Sequence, residues 1–205
     1  MADQPDNRQG RAGEHESHTV RLAAQAVRAG DHQAFSILVA LFERRIFNLC
    51  LAVLKQPERA EEIAQDAFVK AFANIERFDL ARPFYPWMAT IAVRLAQTEL
   101  RKQRLEREHN EEYRAELDLV PQQAASTPLS DLMASERADM VWHLVSALPA
   151  GQRTATYLFY RDDMTLSETA ATLSVTEGTV KTLLFRARAK LREQLGTTIK
   201  KEEGQ

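Results

Sequence analysis

Lys181, Thr182, Phe185, Arg186 and Arg188 lie close together near the C-terminus, and they are residue types that grip phosphate or read base edges. Their spacing sets them off an apolar face made by Val180, Leu183, Leu184, Ala187 and Leu191, which is helical periodicity. A shorter apolar face, Leu166, Ala170 and Leu173, precedes it, and SVTEG separates the two. The stretch 148–195 therefore reads as a helix-turn-helix with a basic second helix. Thr176 is placed to N-cap that helix, and Gly178 is expected to let its first turn approach another backbone closely.

The net charge of −2 fits a phosphate-binding chain only once it is mapped along the sequence. Arg94, Arg101, Lys102, Arg104 and Arg107 form a second basic island, opposed by Glu99 and Glu106. Between the islands, 108–139 is acidic, with Glu108, Glu111, Glu112, Glu116, Asp118, Asp131, Glu136 and Asp139. Local charge decides phosphate contact, so the two islands count for more than the total.

A hydrophobic content of 44%, with seven Gly and seven Pro, predicts an all-α chain with packed cores. No apolar run is long enough to span a bilayer, and the polar N-terminus lacks the apolar core of a signal peptide, so a cytoplasmic protein without stable membrane insertion is expected. Cys50 is the single cysteine and sits among Phe47, Leu49, Leu51 and Val53, as a buried, inert thiol would. His15, His18, His32, His109 and His143 are scattered, and no phosphate-cradling glycine loop occurs. No catalytic constellation, metal site or cofactor is read from the chain, and an enzyme is not expected.

Periodicity places the elements that must position the basic residues. Residues 1–18 read as a disordered tail, and helices are expected over Thr19–Ala29, His32–Leu54, Glu58–Phe72 and Trp87–Glu106. Phe35, Leu38, Val39, Phe42, Ile46, Leu49 and Val53 line the second, with Asp31 as its cap, and Ile63, Ala67, Phe68 and Phe72 point inward on the third. Asn74–Pro83 is a loop, and Pro86 suits the first turn of the fourth helix, whose inner face reads as Trp87, Ile91, Leu95 and Thr98. These helices make a first domain over 19–107. An acidic linker over 108–128, broken at Pro121 and Pro128, leads to a second domain over 129–196, beginning with a helix at Leu129–Leu148, and a tail over 197–205.

Four segments in this order resemble an extracytoplasmic-function sigma factor, the two-domain class of bacterial transcription initiation factor. GDHQAFSILVALFERRIFNLC is similar to the opening helix of the promoter-melting domain, and RAEEIAQDAFVKAF to the helix that docks on the polymerase clamp. RPFYPWMATIAVRLAQTELRK resembles the melting-and-recognition helix, and ALPAGQR through LSETAATLSVTEGTVKTLLFRARAKL the upstream-element domain. Together they cover most of residues 19–195.

The resemblance implies roles residue by residue. Glu62, Ile63, Gln65, Asp66, Phe68 and Lys70 would bind core polymerase, with its β′ clamp and β flap as partners. Asp79, Leu80, Arg82, Tyr85, Trp87, Arg94, Thr98, Arg101 and Lys102 would bind the −10 element, the loop 79–83 receiving a base flipped from the melted strand. Phe84 and Trp87 fall on the stripe read as inner, which makes Tyr85 the better base contact. Family members commonly carry Asn at the position of Arg94 and Asp or Asn at that of Thr98, so this chain's −10 preference is its own. Thr176, Glu177, Thr179, Lys181, Thr182, Phe185, Arg186 and Arg188 would bind the −35 element from the major groove. Glu177 has two equal readings, an acceptor for a cytosine amino group and a favourable charge at a helix N-terminus. The acidic linker has two as well, a mimic of nucleic acid in the polymerase channel and a solvated tether.

The expected function is therefore binding to core polymerase, recognition of −10 and −35 elements in promoter DNA, and melting to start transcription of a stress-type regulon. An anti-sigma factor is the expected regulatory partner. The alternative is a helix-turn-helix regulator with an N-terminal sensor or dimerisation domain, a class that has no use for RAEEIAQDAF or the basic WMATIAVRLAQTELRK helix.

Overall fold

The computed structural model describes the backbone of residues 7–111 and 141–202, and side chains within 16–106 and 141–195. The described residues are helical with connecting turns. In chain order the α-helices are α1 (Asn7–Arg28), α2 (Phe35–Leu54), α3 (Pro57–Ala73), α4 (Phe84–Glu111), α5 (141–146), α6 (Ala150–Thr156), α7 (Leu166–Leu173) and α8 (Glu177–Glu202). Short 3₁₀ turns occupy His32–Ala34 and Ile75–Arg77, and α6 runs on into a π turn over Tyr157–Arg161. The linker beyond residue 111 and the expected helix over 129–140 lie outside the described residues.

Helices α1 to α4 form the first unit. α2 threads its centre because its apolar residues recur at helical spacing: Leu38, Phe42, Ile46 and Leu49 are essentially inaccessible. Each such side chain contributes roughly 1.5–3 kcal/mol by leaving water. Gly30, at φ +99, turns the chain out of α1, and the Asp31 carboxylate caps the following 3₁₀ turn by accepting from the Gln33 and Ala34 amides. Cys50 is buried, and burial pushes its thiol up to about 12.

Two boundaries differ from expectation. α1 begins at Asn7, inside the stretch expected to be tail. That stretch mixes the helix formers Arg8, Gln9, Arg11, Ala12 and Glu14 with Gly10 and Gly13, so local propensity does not explain the extension. α4 begins at Phe84 instead of Trp87, and its buried face also differs from the expected one. Phe84, Tyr85, Met88, Ala89, Ala92, Val93 and Ala96 point inward, and Trp87, Ile91 and Leu95 are only half-buried. Of the stripe read as inner, Trp87, Ile91 and Leu95 pack at the margin of the core and Thr98 is exposed.

Helices α5 to α8 form the second unit, with Val180, Leu184 and Ala187 of α8 packed on Ala155, Ala170, Val145 and Leu148. Thr165 and Glu168 close a capping box at the start of α7. Ser174 ends it in the left-handed conformation, at φ 56, which makes the turn into α8. The two units are packed together. Tyr157, Leu158 and Met164 join the core of the first unit, and α7 lies against α4. No helix among the described residues is long and apolar enough to cross a membrane.

Candidate nucleic-acid interface

The outer stripe of α4 is the floor of an open cavity of about 360 Å³, made by Trp87, Ile91 and Leu95 and rimmed by Lys70, Asn74, Arg77, Arg94 and Thr98. Arg94 and Thr98 follow Trp87 by seven and eleven residues, spacings that bring all three to one face of α4. Thr98 is exposed and donates its hydroxyl to the Arg94 carbonyl at 2.8 Å. Arg101 continues the stripe into solvent, as does Lys102, which is 3.9 Å from Glu106. The site therefore combines an aromatic and aliphatic floor with surrounding cations, the surface chemistry of a stacking groove for single-stranded nucleic acid.

The loop before α4 borders this groove and is firmly built. Asp79 accepts from the Ala81 amide at 3.0 Å and lies 3.3 Å from the Arg82 guanidinium. Leu80 is half-buried and Arg82 exposed. From α1, the Arg28 guanidinium donates to the carbonyls of Ile75, Glu76 and Phe78, fastening the segment that leads into the loop. Nothing local in the sequence marks this clamp, because its partners are some fifty residues away in the chain.

Tyr85 is not on this surface. It is 5% exposed, beneath α2 and the second unit, and its hydroxyl donates to Asp162 Oδ2 at 2.5 Å. The Arg45 guanidinium stands 3.7 Å above its ring. Burial, reinforced by the neighbouring Asp162 charge, pushes the phenol well above its ordinary range. The base contact expected of Tyr85 is thus unavailable in this arrangement, and Trp87, packed on Phe78 and Phe84, is the partly exposed aromatic residue at the groove. The misplacement follows from reading Trp87, Ile91 and Leu95 as the centre of the buried face.

On α3, Glu62, Gln65 and Asp66 are exposed and share one face, which continues into Val69 at 67% exposure. Ile63 and Phe68 are buried in the core, so they hold the helix in place and do not offer a docking surface. Lys70 turns toward the α4 cavity, away from the face it was grouped with. Arg59 pairs with Glu62 at 2.6 Å and reaches Glu99 at 3.9 Å. The unassigned residue here is Val69, an exposed β-branched side chain amid acidic and amide groups.

On α8, Thr176, Glu177, Thr179, Lys181, Thr182, Phe185, Arg186 and Arg188 are all exposed, Phe185 at 68%. Lys181, Thr182 and Phe185 lie opposite the buried Val180, Leu184 and Ala187. Thr176 caps the helix as expected, accepting from the Thr179 amide at 3.2 Å, and the two threonine hydroxyls are 2.9 Å apart. Gly178 is not needed for a close approach within the chain: a methyl group there would meet only Thr176 Oγ1, at 3.8 Å. Among the described residues no group of three or more His, Cys, Asp or Glu side chains could hold a metal ion.

Residues 38–106 match the model of Sigma-70 region 2 and residues 138–191 that of Sigma-70 region 4. The chain is 32% identical over 180 residues to the ECF RNA polymerase sigma factor SigW of Bacillus subtilis, covering 86% of this chain and 96% of that protein. It is 27% identical to the ECF RNA polymerase sigma-E factor of Haemophilus influenzae, over 88% of this chain and 97% of the relative. Among solved structures, a sigma factor RpoE in complex with the anti-sigma factor NepR from Bartonella quintana has the same fold, with a TM-score of 0.62 at 23% identity over 79% of this chain and 96% of that one. CnrH in complex with the cytosolic domain of CnrY gives 0.59 at 22% identity, over 87% and 98%.

Proposed function

The chain belongs to the extracytoplasmic-function RNA polymerase sigma factors, and from that premise we propose how its surfaces divide the work of initiation. It binds core RNA polymerase, recognises −10 and −35 promoter elements, and melts the DNA between the −10 element and the start site. The face of Glu62, Gln65, Asp66 and Val69 on α3 docks on the polymerase clamp, polar contacts surrounding one apolar contact. The exposed face of α8 enters the major groove at the −35 element, with the α8 N-terminus carrying Thr176, Glu177 and Thr179 toward the bases.

The observation that carries the melting role is the outer stripe of α4. Large apolar side chains, Trp87, Ile91 and Leu95, pack on the margin of the core and stay partly exposed beside Lys70, Arg77 and Arg94. Extruding a base costs a few kcal/mol, and stacking on an aromatic surface returns roughly 1–3 kcal/mol per base. Cations on the rim hold the phosphates of the captured strand. Arg94, where the family commonly has Asn, gives this groove a bidentate donor suited to a guanine edge or a phosphate. Capture of unpaired bases drives opening, so no nucleotide hydrolysis and no catalytic residue is involved.

An anti-sigma factor is the regulatory partner of this reading, as one solved structure of this fold is a sigma factor in complex with an anti-sigma factor. The protein acts in the bacterial cytoplasm on a stress-type regulon. Permanganate reactivity of unpaired thymines tests the melting assignment. With core polymerase and the unsubstituted chain, a promoter fragment becomes reactive around the start site. Trp87→Ala and Arg94→Ala are expected to abolish that reactivity while retaining polymerase binding. Undiminished reactivity in both would remove the α4 stripe from the melting step.

A further inference from the structure

α1 precedes the residues matched to region 2, which begin at 38, and it runs beside the 79–83 loop. Between helix and loop lies a cavity of about 180 Å³. Its walls are the buried rings of Phe42, Phe78 and Phe84, with Val20 of α1 and Leu80 of the loop. Two exposed arginines stand on its rim, Arg21 from α1 and Arg82 from the loop, with Glu16 and Ser17 beside them. The Glu16 carboxylate is drawn to Arg45, 4.0 Å away, and Arg82 to Asp79. Arg21 has no acidic partner among the described residues. The cavity is preformed, because Val20, Ala24 and Val27 bury α1 in the core and the Arg28 clamp fixes the chain entering the loop. It is also continuous with the α4 groove. A cavity of about 440 Å³, on the seam where α7 meets the first unit, shares Arg77 and Trp87 with the groove and Phe78, Arg82 and Pro83 with the cavity at α1.

A strand held along α4 and continuing past the loop therefore meets an apolar hole with cations at its mouth. An apolar cavity of about 150 Å³ takes up benzene, so this one has room for a single base. Aromatic walls suit the face of an unstacked base, and a rim arginine suits the phosphate attached to it. We propose that the cavity between α1 and the 79–83 loop is a second base-binding site, which holds one further unpaired base of the captured strand with its phosphate at the Arg21 and Arg82 rim. The first base lies in the α4 groove, and the second leads the strand around the loop from α4 to α1. Once the first base is held, capture of the second is an intramolecular step, so the two together oppose reannealing more strongly than either alone. This inference rests on the melting reading above.

Abasic scanning of the strand tests it. Dye-labelled non-template oligonucleotides from the −10 element to the start site carry one abasic residue at each position in turn. Their affinity for core polymerase joined to the full chain is read by fluorescence anisotropy. Base removal is expected to cost at least about fivefold in affinity at two positions. Ser17→Trp, at an exposed helix position on the cavity rim, is expected to abolish that loss at one position and keep it at the other. Trp87→Ala is expected to do the reverse. Arg21→Gln is expected to keep both losses and to lower the slope of log affinity against log salt by about 0.7, the value of one phosphate contact on a single strand. If every sensitive position answers to Trp87→Ala and none to Ser17→Trp, the cavity holds no base and the proposal is overturned while the melting reading stands. Should Ser17→Trp weaken binding of all the oligonucleotides alike, the Arg21→Gln slope decides, and an unchanged slope overturns the proposal. If no position is sensitive with the unsubstituted chain, the melting reading itself fails, and this inference with it.

Discussion

Acidification is expected to tighten the pairing of the two units through Asp162. The residue is 8% exposed, and burial raises its carboxyl from the ordinary 3.8 to about 6, against the opposing pull of the Tyr85 hydroxyl, Arg45 and Arg161. The groups that face it are Tyr85 from α4, Arg45 from α2, and Tyr157, Arg161 and Asp163 from its own segment. Burial lifts the Tyr157 phenol, like that of Tyr85, far above the relevant range, and arginine does not deprotonate in proteins. Because the closed-state pKa is the higher one, the contribution to pairing is fully present below 3.8 and is lost as the pH rises through about 6. The full difference is about 3 kcal/mol, and between about pH 5 and pH 7.5 it amounts to about 1.4 kcal/mol, a tenfold change in the closing equilibrium. Energy transfer across the seam, measured over that range, reads the equilibrium directly. Asp162→Asn keeps an acceptor for Tyr85 and cannot ionise, so its closing equilibrium is expected to be flat over the same range. A flat profile in the unsubstituted protein, or an undiminished slope in Asp162→Asn, would rule out Asp162 as the titrating group at this contact.

Three further outcomes follow from the geometry. Arg28→Ala removes the donor to three carbonyls before the 79–83 loop and is expected to lower unfolding free energy by about 2 kcal/mol in denaturant titration. Arg28→Lys is not expected to restore it, because an ammonium lacks the planar fork that reaches them together. Gly178→Ala meets nothing closer than 3.8 Å, so thermal unfolding is expected to show a gain of roughly 0.5–1 kcal/mol from the better helix former. Lys181→Ala, on an exposed face of α8, is expected to leave unfolding within about 0.5 kcal/mol and to reduce the slope of log affinity against log salt for −35 DNA by about 0.9; an unchanged slope would remove Lys181 from phosphate contact.

Much of this architecture was legible because helical burial follows local periodicity. The inner face of α2, the Thr176 cap and the two faces of the helix-turn-helix were all within reach of neighbouring residues in sequence. α4 misled for a physical reason. Its buried face is rich in alanine, Ala89, Ala92 and Ala96, which lets α2 and α3 approach closely, while the bulkier Trp87, Ile91 and Leu95 line the outer groove. Hydrophobicity alone therefore picked the stripe at the margin of the core as its centre, and with it sent Tyr85 outward. On α3 the docking set mixed Ile63 and Phe68, which are interior, with exposed neighbours, and omitted Val69. The clamps made by Arg28, Arg153 and Asp162 join residues far apart in the chain, and no spacing rule could announce them.

The central claim is that this chain directs core polymerase to promoters. Its most direct test is transcription in vitro on promoter-bearing genomic fragments, with purified core polymerase alone and with the protein added, and start sites mapped at nucleotide resolution. Discrete start sites that appear only with the protein, preceded by shared sequence at −10 and −35, are expected. A protein that binds the fragments yet leaves the transcripts of core polymerase unchanged would contradict it.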